Sequence, residues 1–142
     1  MKNSLSDMDE TRETAYGRLL TLGAHLRRAL LDDAAVSELT TRVIPVVTQT
    51  DQPMPFVTYY RTGVESVPVK TGAPSRVSVW QFNVYTAEWT EGVELAARIC
   101  ATLDGMRDDT VRMCRLADAA ENHDPNVPAF VQTLTFEVRG RE

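Results

Sequence analysis

The chain is poor in the residues that most chemistry needs. Among 142 residues there are two cysteines and two histidines, and Cys100 and Cys114 form neither a metal-ligand spacing nor a disulfide framework. Both stand among apolar neighbours, which reads as buried free thiols. His25 falls in a helical stretch with no second His, Cys or carboxylate at ligand spacing, which argues against a metal role. His123 lies beside Asp124 and near Glu121, a composition that suggests a metal site or an acid–base pair; lacking a second ligand cluster or an identifiable nucleophile, the segment Glu121–Asn126 reads as a solvated turn. The nucleophile-elbow, zinc-helix and phosphate-cradling glycine motifs are missing, and no cofactor is expected. A run of about 18 apolar residues is missing too, so no membrane partner is expected. The opening MKNSLSDMDETRET lacks the apolar stretch of a secretory signal and is expected to be a flexible tail over residues 1–9. Basic residues are outnumbered 15 to 20, and the net charge of −5 argues against a protein that grips nucleic acid through its phosphates.

What is present is patterning. With 43% hydrophobic and 25% charged residues the composition is that of an ordinary globular domain, expected over residues 10–142. Its centre is Arg76–Met106. Trp80, Phe82 and Val84 alternate with Gln81, Asn83 and Tyr85, giving a strand with one apolar and one mixed face. Val93, Ala96, Ala97, Cys100 and Leu103 then recur at helical spacing, with Ile99 at the margin, and predict a helix that packs back over that strand. Thr90 or Thr86 is available to cap it and Gly105 to stop it.

Before this centre, a stripe of Tyr16, Leu19, Leu20, Gly23, Leu26 and Leu30 predicts one amphipathic helix from Thr11 to Leu31. Asp32 and Asp33 break the stripe and can cap a short turn of helix, and Pro45 favours a sheet-edge position for the run Arg42–Val47, beside the strand Pro55–Arg61. From Thr62 to Ser75 periodicity dissolves, and a long loop is expected. Loops of that length are usually functional or disordered. Its basic residues Arg61, Lys70 and Arg76 make it a candidate assembly arm that orders against a partner. After the central helix, Thr110–Leu116 predicts a strand and Ala129–Val138 its hairpin partner. The order of elements gives an α+β fold: a largely antiparallel sheet of about five strands, covered on one face by an N-terminal helix and the central helix.

The residues taken in order carry a resemblance. The Leu19–Leu31 helix, Asp33-Ala34-Ala35-Val36-Ser37-Glu38-Leu39, Thr41-Arg42-Val43-Ile44-Pro45 and Pro53-Met54-Pro55-Phe56-Val57-Thr58-Tyr59 are followed by Lys70-Thr71-Gly72 and Val79–Tyr85 joined to Leu95-Ala96. Leu116-Ala117-Asp118 and the Phe130–Phe136 strand complete the series. This arrangement resembles the tail completion, or tail terminator, family of tailed phages, over about Tyr16 to Val138. The resemblance implies a structural virion protein without catalysis, assembled with itself as a ring, commonly a hexamer. Such a ring caps the tail tube, stops its polymerisation and joins it to the head–neck connector at the head-proximal end, with DNA passing through unbound. The departures are the longer charged tail before Ala15 and the Asn122-His123-Asp124 turn. Two other readings of the residues remain: a small dimeric α+β module binding a ligand between sheet and helices, and, weaker, a thiol enzyme using Cys114 with His123.

Overall fold

The alternating run through Trp80, Phe82 and Val84 forms a strand flanked on both sides by other strands, so its apolar face lies in the middle of the sheet. The structure, a computed structural model, describes residues 4–46, 52–68, 70 and 75–141. In chain order the elements are α1 (Ser4–Leu20), α2 (Leu22–Asp32), α3 (Ala34–Ser37), β1 (Val43–Pro45), β2 (Phe56–Val67), β3 (Ser75–Thr86), α4 (Trp89–Leu103), β4 (Val111–Asp124) and β5 (Ala129–Gly140). The sheet order is β1-β2-β3-β5-β4, antiparallel except for the parallel β1–β2 pair. This is the α+β, mostly antiparallel five-stranded architecture predicted from the order of elements. Pro45 pairs with Tyr59 on the edge strand, where its missing N–H interrupts no inner ladder.

Phe82 is fully buried, stacked 5.5 Å from Tyr59 and meeting Phe136 edge-on at 5.9 Å. Leu26 and Leu30 of α2, with Leu95, Ile99 and Leu103 of α4, close the same core. A Cβ at Gly23 would stand 2.2 Å from the Trp80 ring, so α2 crosses the sheet closer than a residue with a side chain allows. On the opposite face Phe56 stacks on Tyr85 at 4.6 Å toward one end, and the side chains beyond them are polar and bonded to one another. Tyr60 Oη donates to Gln81 Oε1 at 2.8 Å, Gln81 Nε2 donates to Asn83 Oδ1 at 3.2 Å, and Thr133 Oγ1 donates to the same oxygen at 2.8 Å.

Several local expectations are corrected. The single helix predicted from Thr11 to Leu31 is two, α1 over Ser4–Leu20 and α2 over Leu22–Asp32. At the break, Thr21 Oγ1 donates to Gly17 O at 2.6 Å, a side-chain bond that competes with the helix ladder. Leu22 is buried as a result, whereas Tyr16 and Leu20 are exposed. In α4 the buried face is Leu95, Ala96, Ile99 and Leu103; Val93 and Ala97 face outward and Cys100 is half-buried. Gly92 sets that rotation, because a Cβ there would lie 2.8 Å from Thr86 Oγ1 and only the bare backbone fits. Glu88, rather than Thr90 or Thr86, occupies the N-cap, and Thr86 Oγ1 donates to Glu88 O at 2.8 Å. Gly105 ends the helix as expected, at φ +83°.

The largest correction concerns strand length. Much of Thr62–Ser75 is strand, since β2 continues to Val67 and β3 begins at Ser75. Likewise β4 runs to Asp124, so Glu121–Asp124 is strand and the turn occupies 125–128. Bulges between Arg61 and Gly63 and between Leu116 and Asp118 explain both misreadings. An extra residue moves all later side chains to the other face and erases the period of two.

Two predictions follow from the core. Phe82→Ala removes the ring that joins three strands and should cost roughly 3–5 kcal/mol in denaturant unfolding; an unchanged midpoint would contradict the packing. Cys114 is buried, and burial pushes its thiol up to about 12. A thiol reagent should therefore label Cys114 only after denaturation, and Cys114→Ala should fold with a modest stability loss. Rapid labelling of native protein would overturn this placement.

Candidate assembly site

Beyond its bulge β2 stays paired to β3 through Glu65↔Val77, Ser66↔Arg76 and Val67↔Ser75. Thr62, Val64, Glu65 and Ser66 are exposed. The ladder, the strand preference of Thr62, Val64 and Val67, and the burial of Val77 and Ser78 on β3 hold this arm together. An exposed strand has no need to alternate, which is why the sequence reads here as a loop.

The three predicted assembly residues lie on the arm or at its end, and two of them are engaged within the chain. Arg61 Nη1 donates to the carbonyl of Leu20, the last residue of α1, at 2.9 Å, and its guanidinium stands 6.0 Å from the Trp80 ring centroid. Arg76 lies 5.5 Å over the ring of Tyr16 in α1. A cation is favoured at a helix C-terminus, and a cation over an exposed aromatic face contributes about 0.5–1 kcal/mol. Arg61 and Arg76 thus fasten the arm to α1, while Lys70 is exposed past the end of β2. The sequence reading missed this joint because it placed Tyr16 and Leu20 in the inward stripe. The available signal was Thr21-Leu22-Gly23 interrupting that stripe.

At the other margin of the sheet, β4 beyond its bulge is exposed from Ala117 to His123 and carries Asp118, Glu121 and Asp124 with no Lys or Arg. Glu121 Oε2 accepts from Trp89 Nε1 at 2.9 Å and from Gln132 Nε2 at 3.0 Å. The Trp89 bond, followed by that of Gln132, lowers the carboxyl below its usual range. His123 meets Phe130 edge-on at 5.1 Å. It stands nine residues from Cys114 on one strand, about 30 Å at strand rise, so the pair a thiol enzyme requires is not assembled. His25 Nε2 pairs with Asp108 Oδ2 at 2.7 Å, a contact across 83 residues that no local spacing could reveal. Burial would raise the Asp108 carboxyl, but bonds from His25, Val111 and Thr110 outweigh it and hold the group low. Among the described residues no three His, Cys, Asp or Glu side chains converge as a metal site.

A ligand module would need space between sheet and helices, where Phe82, Leu26 and Ile99 pack instead. A cavity of about 150 Å³ lies elsewhere, beside α4, lined by Glu38, Leu39, Pro55, Glu91, Glu94 and Leu95. Small-molecule sites usually begin near 300 Å³.

Comparison with known proteins agrees with a structural role. A chain in the virion of a native gene transfer agent particle has the same fold, with a TM-score of 0.66 and 20% identity, over 82% of this chain and 92% of that one. No curated protein matches. The model of the family described as tail completion protein gp17 matches residues 24–140, all of the sheet and α4 included. The chain therefore belongs to the tail completion protein gp17 family, a family of phage tail structural proteins.

Proposed function

We propose that copies of this protein close into a ring, commonly a hexamer, that caps the finished tail tube. The ring stops tube polymerisation and joins the tail to the head–neck connector, at the head-proximal end of the virion tail. Its partners are itself, the tube protein and the connector; DNA passes through without specific binding, and no catalysis is involved. Residues 10–142 act as one unit in this role.

The observation that carries the reading is the β2–β3 arm, in a chain of a tail completion family. The arm maintains twelve-residue strands whose β2 side beyond Arg61 is largely exposed, although Val77 and Ser78 opposite it on β3 are buried. A strand ordered with so much of it exposed is suited to gain contacts on a neighbour. Lys70, with Arg61 at the arm's base and Arg76 near its tip, outweighs Glu65 and gives it a sign opposite to the chain's net charge of −5. A negative overall charge also suits a passage that DNA must cross without adhering.

Single exposed ion pairs contribute about 0–1 kcal/mol, but a ring repeats each contact at every interface. Replacing residues 66–75 by a short Gly-Ser turn should leave the circular-dichroism spectrum essentially unchanged. Ring formation or tube capping should be impaired, most visibly at raised salt, where screening weakens the remaining contacts. Wild-type rings and capping from the shortened protein would make the arm a passive connection.

A further inference from the structure

The two lateral margins of the sheet differ in charge and both leave apolar side chains in water. On the β2 side, Tyr16 and Leu20 of α1, each 42% exposed, and Val64 of the arm accompany Arg76 and Lys70, with Glu13 of α1 and Glu65 of the arm also exposed. On the β4 side, Trp89 and Val93 of α4 are 48% and 39% exposed. They lie one helical turn apart, and Trp89 is bonded to Glu121 of β4. Below the bulge β4 carries Ala117, Ala119 and Ala120 between its acids, so its exposed part is low in side-chain bulk. Among the described residues, the outer edge of β4 there has no strand partner. Strands β3 and β5 separate the two margins, so one copy cannot bring them together.

The geometry points to a head-to-tail interface between copies, in which the arm of one protomer docks on the Trp89–Val93 and Asp118–Glu121 surface of the next. The inference rests on the ring reading and names the receiving surface. A second copy is the occupant because the arm carries Arg61, Lys70 and Arg76 against the single acid Glu65, whereas β4 beyond its bulge carries Asp118, Glu121 and Asp124 and no cation, with apolar side chains exposed beside both. Two-fold pairing of the β4 margin with itself would set Asp118 and Glu121 against their own like charges, whereas docking unlike margins pairs opposites. An interface between two different patches also generates rings when its rotation closes, as a two-fold contact does not. Acids along an open edge further guard it from indiscriminate strand pairing and leave it selective for a basic partner.

Charge reversal tests the assignment. One variant carries Asp118→Lys and Glu121→Lys, the other Lys70→Glu and Arg76→Glu, all at exposed positions. Both should stay folded and melt cooperatively, a little below the wild type because Glu121 gives up its bonds to Trp89 and Gln132 and Arg76 its place over Tyr16. Each alone should need a concentration about tenfold or more higher to assemble, read by sedimentation velocity. Mixed in equal amounts, the two should form particles of wild-type size with alternating copies, because each reversed margin then meets its complement. Wild-type assembly by either variant alone, or no recovery in the mixture, overturns this interface while leaving the ring reading intact. Wild-type protein that stays monomeric, with or without tube protein, removes the ring reading and this interface with it.

Discussion

The Phe82 ring is the contact on which the rest of the structure depends. It touches Tyr59 on β2 and Phe136 on β5, so one side chain joins three of the five strands. The helices are placed relative to that cluster by two glycines. Gly23 lets α2 lie against Trp80, and Gly92 seats the start of α4 on Thr86. With α2 pressed onto the sheet, α1 lies outside the core with Tyr16 and Leu20 exposed, and Arg61 donates to its last carbonyl. The arm and α1 are thus joined outside the central packing.

The central packing was also the most legible part. Burying one face of a strand imposes a period of two and burying one stripe of a helix imposes 3.6, and both periods survive in Trp80-Phe82-Val84 and in Leu95-Ile99-Leu103. Legibility fails where burial ends. Thr62–Val67 and Ala117–Asp124 are strands held by backbone ladders, each beginning just after a bulge that inverts the faces, so neither leaves a hydrophobic signature. The tilt of α4 was misjudged because Val93 and Cys100 are apolar but lie beside the contact, which Gly92 decides. Of the candidate site, the composition of the arm was visible, whereas its joint to α1 and the acidic margin on β4 depend on tertiary neighbours. The His25–Asp108 pair is of the same kind.

The division of labour within the chain is physical. The interior is apolar, well filled and occupied by side chains without nucleophilic or ligating character; Cys114 is there as a small hydrophobe with its thiol kept protonated by burial. Charge, exposed aromatics and strand ends are displaced to the two margins. The proposed role in an assembly needs a rigid middle and specific edges, and this fold provides both. Membership of a tail completion family accords with that arrangement.

The central claim, that the protein acts as a closed ring at the end of a tail tube, is tested most directly by electron microscopy of the purified protein alone and mixed with tube protein. The account predicts closed rings of uniform diameter that sit at one end of each tube and arrest its growth. A population of monomers or dimers that neither binds tube ends nor limits their length would contradict it.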